Sequence, residues 1–306
     1  FGTYQAQDFD ELVDHPVEMG EFWEAHFEAR GVVHRLVVSG ASPRFDGERL
    51  LKDTQAICES VMRFWHGRGR PPFDRYVFLL NVLPSGYGGL EHRNATALVA
   101  QHTDLPKRQA PNDHEGYHNL LGLISHEYFH TWNVKRLKPA EFAPYNYQAE
   151  NLTELLWFFE GFTSYYDDLL LVRAGLLSPS QYLARLQKTM TQVDQTPGRH
   201  RHPLAQSSFE AWTKYYRADS QTHNLTVSYY TKGSLVALCW DLLLRSEGHS
   251  LDEVMRLLWR ETKGGPMTEA DWLNALETVR GMSCRREHRA WVHGTGELPV
   301  HEWLAQ

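Results

Sequence analysis

The sequence is short of cysteine, of long apolar runs and of positive charge, and it has no internal repeat. Its three cysteines, Cys58, Cys239 and Cys284, lie far apart in a chain of 306 residues, and none is part of a C-x-x-C pair. That excludes a disulfide framework and a cysteine-rich structural metal site, and it fits a reducing compartment. Cys58 and Cys239 sit in apolar helical patterns and are expected in the core. The longest apolar runs, such as Leu235 to Leu244, are broken by Asp241 and are too short for a bilayer, so no membrane span is expected. A formal net charge of -7 gives no reason to expect nucleic acid or an anionic membrane as partner. No signal peptide is visible at Phe1. The sequence does not begin with Met, so an upstream leader stays open. A soluble protein of bacterial type, cytoplasmic or periplasmic with the cytoplasm favoured, is the expectation.

Aromatic residues are plentiful: 10 Trp, 14 Tyr and 14 Phe. They suit a large packed core and argue against disorder. Residues 1–31 show no clean period and are expected to be irregular, leading into a strand at Val32 to Ser39. Gly47 to Trp65 carries Leu50, Ile57, Val61 and Phe64 at helical spacing. Arg75 to Leu83 and Ala95 to Gln101 have strand character, with a Gly-rich loop or bulge between them. A helix begins near Tyr117. Asn151 to Glu154 can cap another that runs to about Arg173. Residues 178–193, Lys232 to Ser246, Ser250 to Lys263 and Thr268 to Val279 read as further helices, and 194–208 as a loop. The fold class is therefore α+β, a small sheet in the N-terminal part followed by a mainly helical C-terminal part.

Leu120 to Asn133 reads L-L-G-L-I-S-H-E-Y-F-H-T-W-N. On a helix His126 and His130 lie one turn apart on one face, with Glu127 beside them. Two imidazoles and a carboxylate suit a catalytic zinc ion: two nitrogen ligands and a base for a metal-bound water. With 17 His in the chain, an accidental H-E-x-x-H has roughly a several per cent probability. A third ligand is needed. Glu160, set among aromatics in L-L-W-F-F-E-G-F, is the best candidate, because a carboxylate there is costly to bury unless it is paired or binds metal. Glu150 and Glu154, in a more polar setting, are its rivals. Asp167 and Asp168 could support the site or lie on a helix surface.

Two further features are weaker alone. Gly88 and Gly89 would let the backbone approach a ligand closely, and Glu91 beside them could hold a cation such as a peptide's amino terminus. A turn followed by a surface glutamate is common. Tyr229 or Tyr230, at the head of an apolar helix, could donate a hydrogen bond to an oxyanion, though paired tyrosines more often pack.

The sequence resembles the glycyl aminopeptidase family of zinc metallopeptidases, a PDZ-containing family with a thermolysin-like catalytic domain. The resemblance rests on D-E-L-V-D-H-P-V-E-M-G at Asp10 to Gly20, P-P-F-D-R-Y at Pro71 to Tyr76 and Y-G-G-L-E-H-R-N at Tyr87 to Asn94. It continues in S-H-E-Y-F-H-T-W-N-V-K-R at Ser125 to Arg136, E-G-F-T-S-Y-Y at Glu160 to Tyr166 and Y-T-K-G at Tyr230 to Gly233. It implies one Zn2+ held by His126, His130 and Glu160, and Glu127 as general base. It makes Tyr230 the oxyanion donor and Glu91 the group that binds the substrate's α-amino nitrogen. His92 stands where alanyl-type relatives have Asn. The implied partners are peptides with a free, small amino-terminal residue, glycine or possibly alanine. The implied organisation is 1–40 as a remnant after a missing N-terminal β domain, 41–290 as the catalytic domain and 291–306 as a lead toward a missing PDZ domain. The alternatives are a thermolysin-type zinc endopeptidase and a non-catalytic peptide-binding protein.

Overall fold

The computed structural model of the chain describes residues 3–111 and 113–304. It divides into two compact units. The first is the chain up to Thr131 together with Asp167–Leu177; the second is Trp132–Tyr166 and the chain from Ser178 onward.

The first unit opens with a short helix, α1 (Phe9–Val13), capped by the Asp8 carboxylate, which accepts from the Glu11 N–H. Five strands then form one mixed sheet: β1 (Phe22–Ala29), β2 (Val32–Ser39), β3 (Arg75–Leu83), β4 (Gly88–Glu91) and β5 (Ala95–Gln101), in the order β1-β2-β3-β5-β4. β2, β3 and β5 run parallel, and β1 and β4 pair antiparallel at the two edges. A parallel pair needs a crossover, and α2 (Gly47–His66) supplies the one between β2 and β3. Asp46 caps its start and Gly67, at a φ of 55°, ends it.

β1 lies inside the stretch expected to be irregular. Its inward positions Ala25, Phe27 and Ala29 alternate with exposed Glu24, His26 and Glu28. Two of the three inward residues are alanines, so the period of two carries little hydrophobic signal. β4 likewise falls in the expected loop; Gly-Gly has no strand preference, and its pairing with β5 makes it a strand.

α3 (Glu115–His130) packs against α2, β4 and β5 and is buried on nearly all sides. Its Tyr128 ring meets Tyr76 of β3 edge-on at 4.9 Å. The Tyr128 hydroxyl is also 2.8 Å from Nε2 of His34 on β2. His34 is fully buried, and burial pulls its pKa down to about 4. It is therefore a neutral core residue. α4 (Leu156–Arg173) follows, ending before Gly175, which sits at a φ of 74°. Thr153 accepts from the Leu155 N–H just ahead of it.

The second unit holds the N-terminal half of α4 and the remaining helices: α5 (Pro179–Asp194), α6 (Leu204–Phe209), α7 (Thr222–Leu225), α8 (Thr231–Ser246), α9 (Leu251–Glu261), α10 (Glu269–Arg280), α11 (Arg285–His288) and α12 (Val300–Leu304). Capping boxes start α5, at Ser178 and Gln181, and α10, at Thr268 and Asp271. α6 takes up part of the expected loop at 194–208. Trp157, Phe158, Phe162 and Trp272 form one aromatic cluster, and α8 is buried along most of its length. Asp241, which breaks the apolar run, accepts from the Tyr165 hydroxyl at 2.6 Å and from Nε of Arg245 at 2.8 Å. Cys58, Cys239 and Cys284 are all buried free thiols. Among the described residues no helix is long and apolar enough to cross a membrane.

Candidate active site

In the first unit the site is built from the end of α3, the edge strand β4 and the last turns of α4. His126 and His130 do share one face of α3; their rings are 4.6 Å apart and nearly perpendicular. Nδ1 of His126 lies 3.0 Å from a carboxylate oxygen of Asp167, and Ser125 Oγ donates to the Asp167 carbonyl at 2.9 Å. An imidazole that donates from Nδ1 keeps Nε2 as a lone-pair donor, the state a metal ligand needs. Asp167 is therefore half-buried against His126 and is not a bare helix surface.

Glu127 is 4% exposed. A Cβ placed on Gly89 would collide with its carboxylate. The glycine is thus a packing requirement: strand β4 runs with its bare backbone against Glu127. Two residues further along β4, Glu91 enters the same space. Ligand-type atoms of Glu91, Glu127 and His130 all lie within 4.8 Å of one another. His92 faces away; it is buried, with Nδ1 3.0 Å from the Leu90 carbonyl.

In the second unit Glu160 sits on the first half of α4. Two contacts fix that part of the helix. Asn133, three residues past His130, donates from Nδ2 to the Phe159 carbonyl at 3.1 Å, and its Nδ2 lies 3.2 Å from the Thr163 hydroxyl. Gly161 meets Gly233 of α8 backbone to backbone: a Cβ on Gly161 would lie 2.6 Å from the Gly233 Cα, and one on Gly233 would lie 2.6 Å from the Trp157 carbonyl oxygen. Glu160 and Tyr230 flank this crossing. Burial first, and then the negative charge of Glu160, hold the Tyr230 hydroxyl well above the usual phenol range, so it remains a protonated donor. Tyr229 is 1% exposed, whereas Tyr230 is only half-buried.

Glu150 and Glu154 are exposed, and the field of Glu154 falls on His293 instead. Glu160 is left as the carboxylate of that region set among packed aromatics. It also stands seven residues before Asp167 on the same helix, so the two share a face of α4.

Among the described residues one further trio has metal-ligand types within reach: Glu269, His288 and His293. Both Nε2 atoms converge on the Glu269 carboxylate, at 2.9 Å each. Nδ1 of His288, however, is buried with no hydrogen-bond partner. A ligand histidine donates from its second nitrogen. His288 lacks the acceptor that His126 has in Asp167, so this trio is an ion-pair brace between α10 and the end of α11.

Residues 119–236 match the family model described as M61 glycyl aminopeptidase. The chain resembles the M61 glycyl aminopeptidases. The M61 match spans His126, Glu127, His130, Glu160 and Tyr230. A solved aminopeptidase N family protein from Idiomarina loihiensis is 37% identical over 98% of this chain, with a TM-score of 0.93. The chain spans 51% of that protein's length. An M1 zinc metallopeptidase from Deinococcus radiodurans is 17% identical, with a TM-score of 0.59 over 92% of this chain and 53% of its own. A variant of that peptidase bound to a Tyr-Ser-Ala substrate aligns with a TM-score of 0.56 at 16% identity, over 92% of this chain and 54% of its own. At that identity the Deinococcus structures share the fold alone. No curated protein sequence matches the chain.

Asn133 and the pair Gly161 and Gly233 were not singled out from sequence. The glycines did carry a signal. Each lies inside a helical pattern, where Gly costs about 1 kcal/mol against Ala and so points to close packing.

Proposed function

We propose that the chain is the catalytic part of a zinc aminopeptidase that removes a small amino-terminal residue, glycine foremost, from peptides. The observation that carries this reading is Glu91, brought by β4 to within 4.8 Å of Glu127 and His130. An endopeptidase has no use for a carboxylate beside its base. An aminopeptidase needs one there to hold the substrate's ammonium group.

His126, His130 and Glu160 would hold one zinc ion. The donor set fits: two imidazoles, one already oriented by Asp167, and a carboxylate. When bound, zinc supplies Lewis acidity, polarising the scissile carbonyl and lowering the pKa of a water toward about 7. Glu127, shielded by Gly89 and largely dry, takes a proton from the attacking water and returns it to the leaving amine. Tyr230, kept protonated, donates to the developing oxyanion. Glu91 pairs with the free amino terminus and sets the cut at one residue.

The test compares a glycyl arylamide with its N-acetylated form on zinc-loaded protein. Cleavage of the free form only is expected. Equal cleavage of both would overturn the aminopeptidase reading.

A further inference from the structure

Lys232 stands two positions after Tyr230 on α8. Two residues turn a helix by about 200°, so the lysine leaves α8 on the flank away from Tyr230. It is 2% exposed, and its side chain makes no hydrogen bond or ion pair among the described residues. It lines a cavity of about 50 Å3 between α5, α8 and the segment 295–301. Arg199, Glu297, Asp194 and His301 share that cavity.

The polar groups there are unevenly satisfied. Arg199 donates from Nη1 to the Asp194 carbonyl, but its Nε is buried without a hydrogen bond. The nearest carboxylate to that Nε is Glu297, at 3.6 Å; it is 63% exposed and also approaches Nδ1 of His200 at 3.3 Å. Asp194 is occupied by Nε2 of His301 at 3.2 Å. The cavity therefore presents an ammonium without a hydrogen bond and a guanidinium Nε–H that Glu297 approaches only at ion-pair distance, beside the N-terminal end of a sixteen-residue helix. Helix N-termini favour negative charge, and a buried cation is costly unless it is paired. Burial pulls the Lys232 pKa down to about 8, further than the Glu297 carboxylate across the cavity raises it.

We infer that this cavity binds a small carboxylate of the size of formate or acetate, held between Lys232 and Arg199 at the head of α8. Its room, a few water volumes, suits a planar three- or four-atom anion. The bound anion supplies acceptors to both donors and keeps Lys232 charged. It sits on the flank of α8 opposite Tyr230, so it braces the helix that carries the hydroxyl and does not compete for substrate.

The test is thermal melting and calorimetric titration of the full chain with sodium acetate, against sodium chloride at matched ionic strength. A saturable rise in Tm with acetate alone is expected. Lys232→Met removes a buried unpaired charge and should fold; it should bind acetate at least about tenfold more weakly, as should Arg199→Gln. Glu127→Gln should respond like the wild type, which separates this site from the proposed catalytic one. An equal rise with chloride, an undiminished acetate response in Lys232→Met and Arg199→Gln, or no response at all would each overturn the inference. Tighter Lys232-dependent binding of inorganic phosphate than of acetate would overturn the assignment to carboxylates.

Discussion

Asp167 holds His126 by a single 3.0 Å contact between its carboxylate and Nδ1. Without that acceptor the imidazole can rotate or take the other tautomer, which puts a hydrogen on Nε2, the nitrogen proposed to bind zinc. Asp167→Asn should therefore weaken zinc binding by about 10–100-fold while leaving the melting profile of the metal-free chain nearly unchanged. Competition with a chromogenic chelator measures the affinity. An unaltered zinc affinity would mean that the contact does not orient the ring.

The crossing of α4 and α8 leaves no space for a methyl group at Gly161 or Gly233. Gly161→Ala and Gly233→Ala should each destabilise the chain by about 1–3 kcal/mol, as overpacking does, despite the better helix propensity of alanine. Because Glu160 and Tyr230 flank the crossing, peptidase activity should fall further than the loss of folded protein explains. Denaturant melts and activity per folded molecule separate the two effects.

Glu91 supplies a test of residue counting. Glu91→Ala should lower kcat/KM for a free glycyl substrate by at least about thirtyfold, the cost of about 2 kcal/mol for removing one partner of an enclosed charge pair. Cleavage of an N-blocked peptide, if any is measurable, should not change. A matched loss on both substrates would assign Glu91 to the folding of β4 instead.

The brace at Glu269 gives the stability a defined pH window. Hydrogen bonds from His288 and His293 outweigh burial and hold the Glu269 pKa down to about 2, and Glu269 raises that of His293. The depressed carboxylate stabilises the folded state above its unfolded value near 4.5, and this is lost as the pH falls toward 2. The raised histidine stabilises below its unfolded value near 6.5, and this is lost as the pH rises through its folded value. Wild type should thus exceed Glu269→Gln in stability most between about pH 5 and 6.5, by at most about 3 kcal/mol, with the gap narrowing on either side. Urea melts at a series of pH values report it.

Much of this was legible in the residues. The helices carrying His126 and Glu160 announce themselves through long apolar segments, the second with a stop at Gly175, and β2 and β3 through runs rich in β-branched and other apolar residues. β1 and β4 were not legible, because alanine and glycine carry almost no pattern and both strands exist by pairing with a neighbour. The preference for Glu160 over Glu150 and Glu154 rests on its apolar setting in the sequence, and the structure adds that Glu150 and Glu154 are exposed while Glu160 is half-buried. The roles of Asp167 and Asn133 are contacts across more than 25 residues, which no local spacing encodes.

The meeting of Gly161 with Gly233 has a bearing on how rate data from this protein can be read. Two bare backbones in van der Waals contact hold no charge for salt to screen and no proton to lose. The spacing of Glu160 and Tyr230 is therefore set by a joint that is blind to pH and ionic strength, unlike the brace at Glu269. A pH–rate profile taken within the folded range therefore carries no contribution from a change in that one spacing.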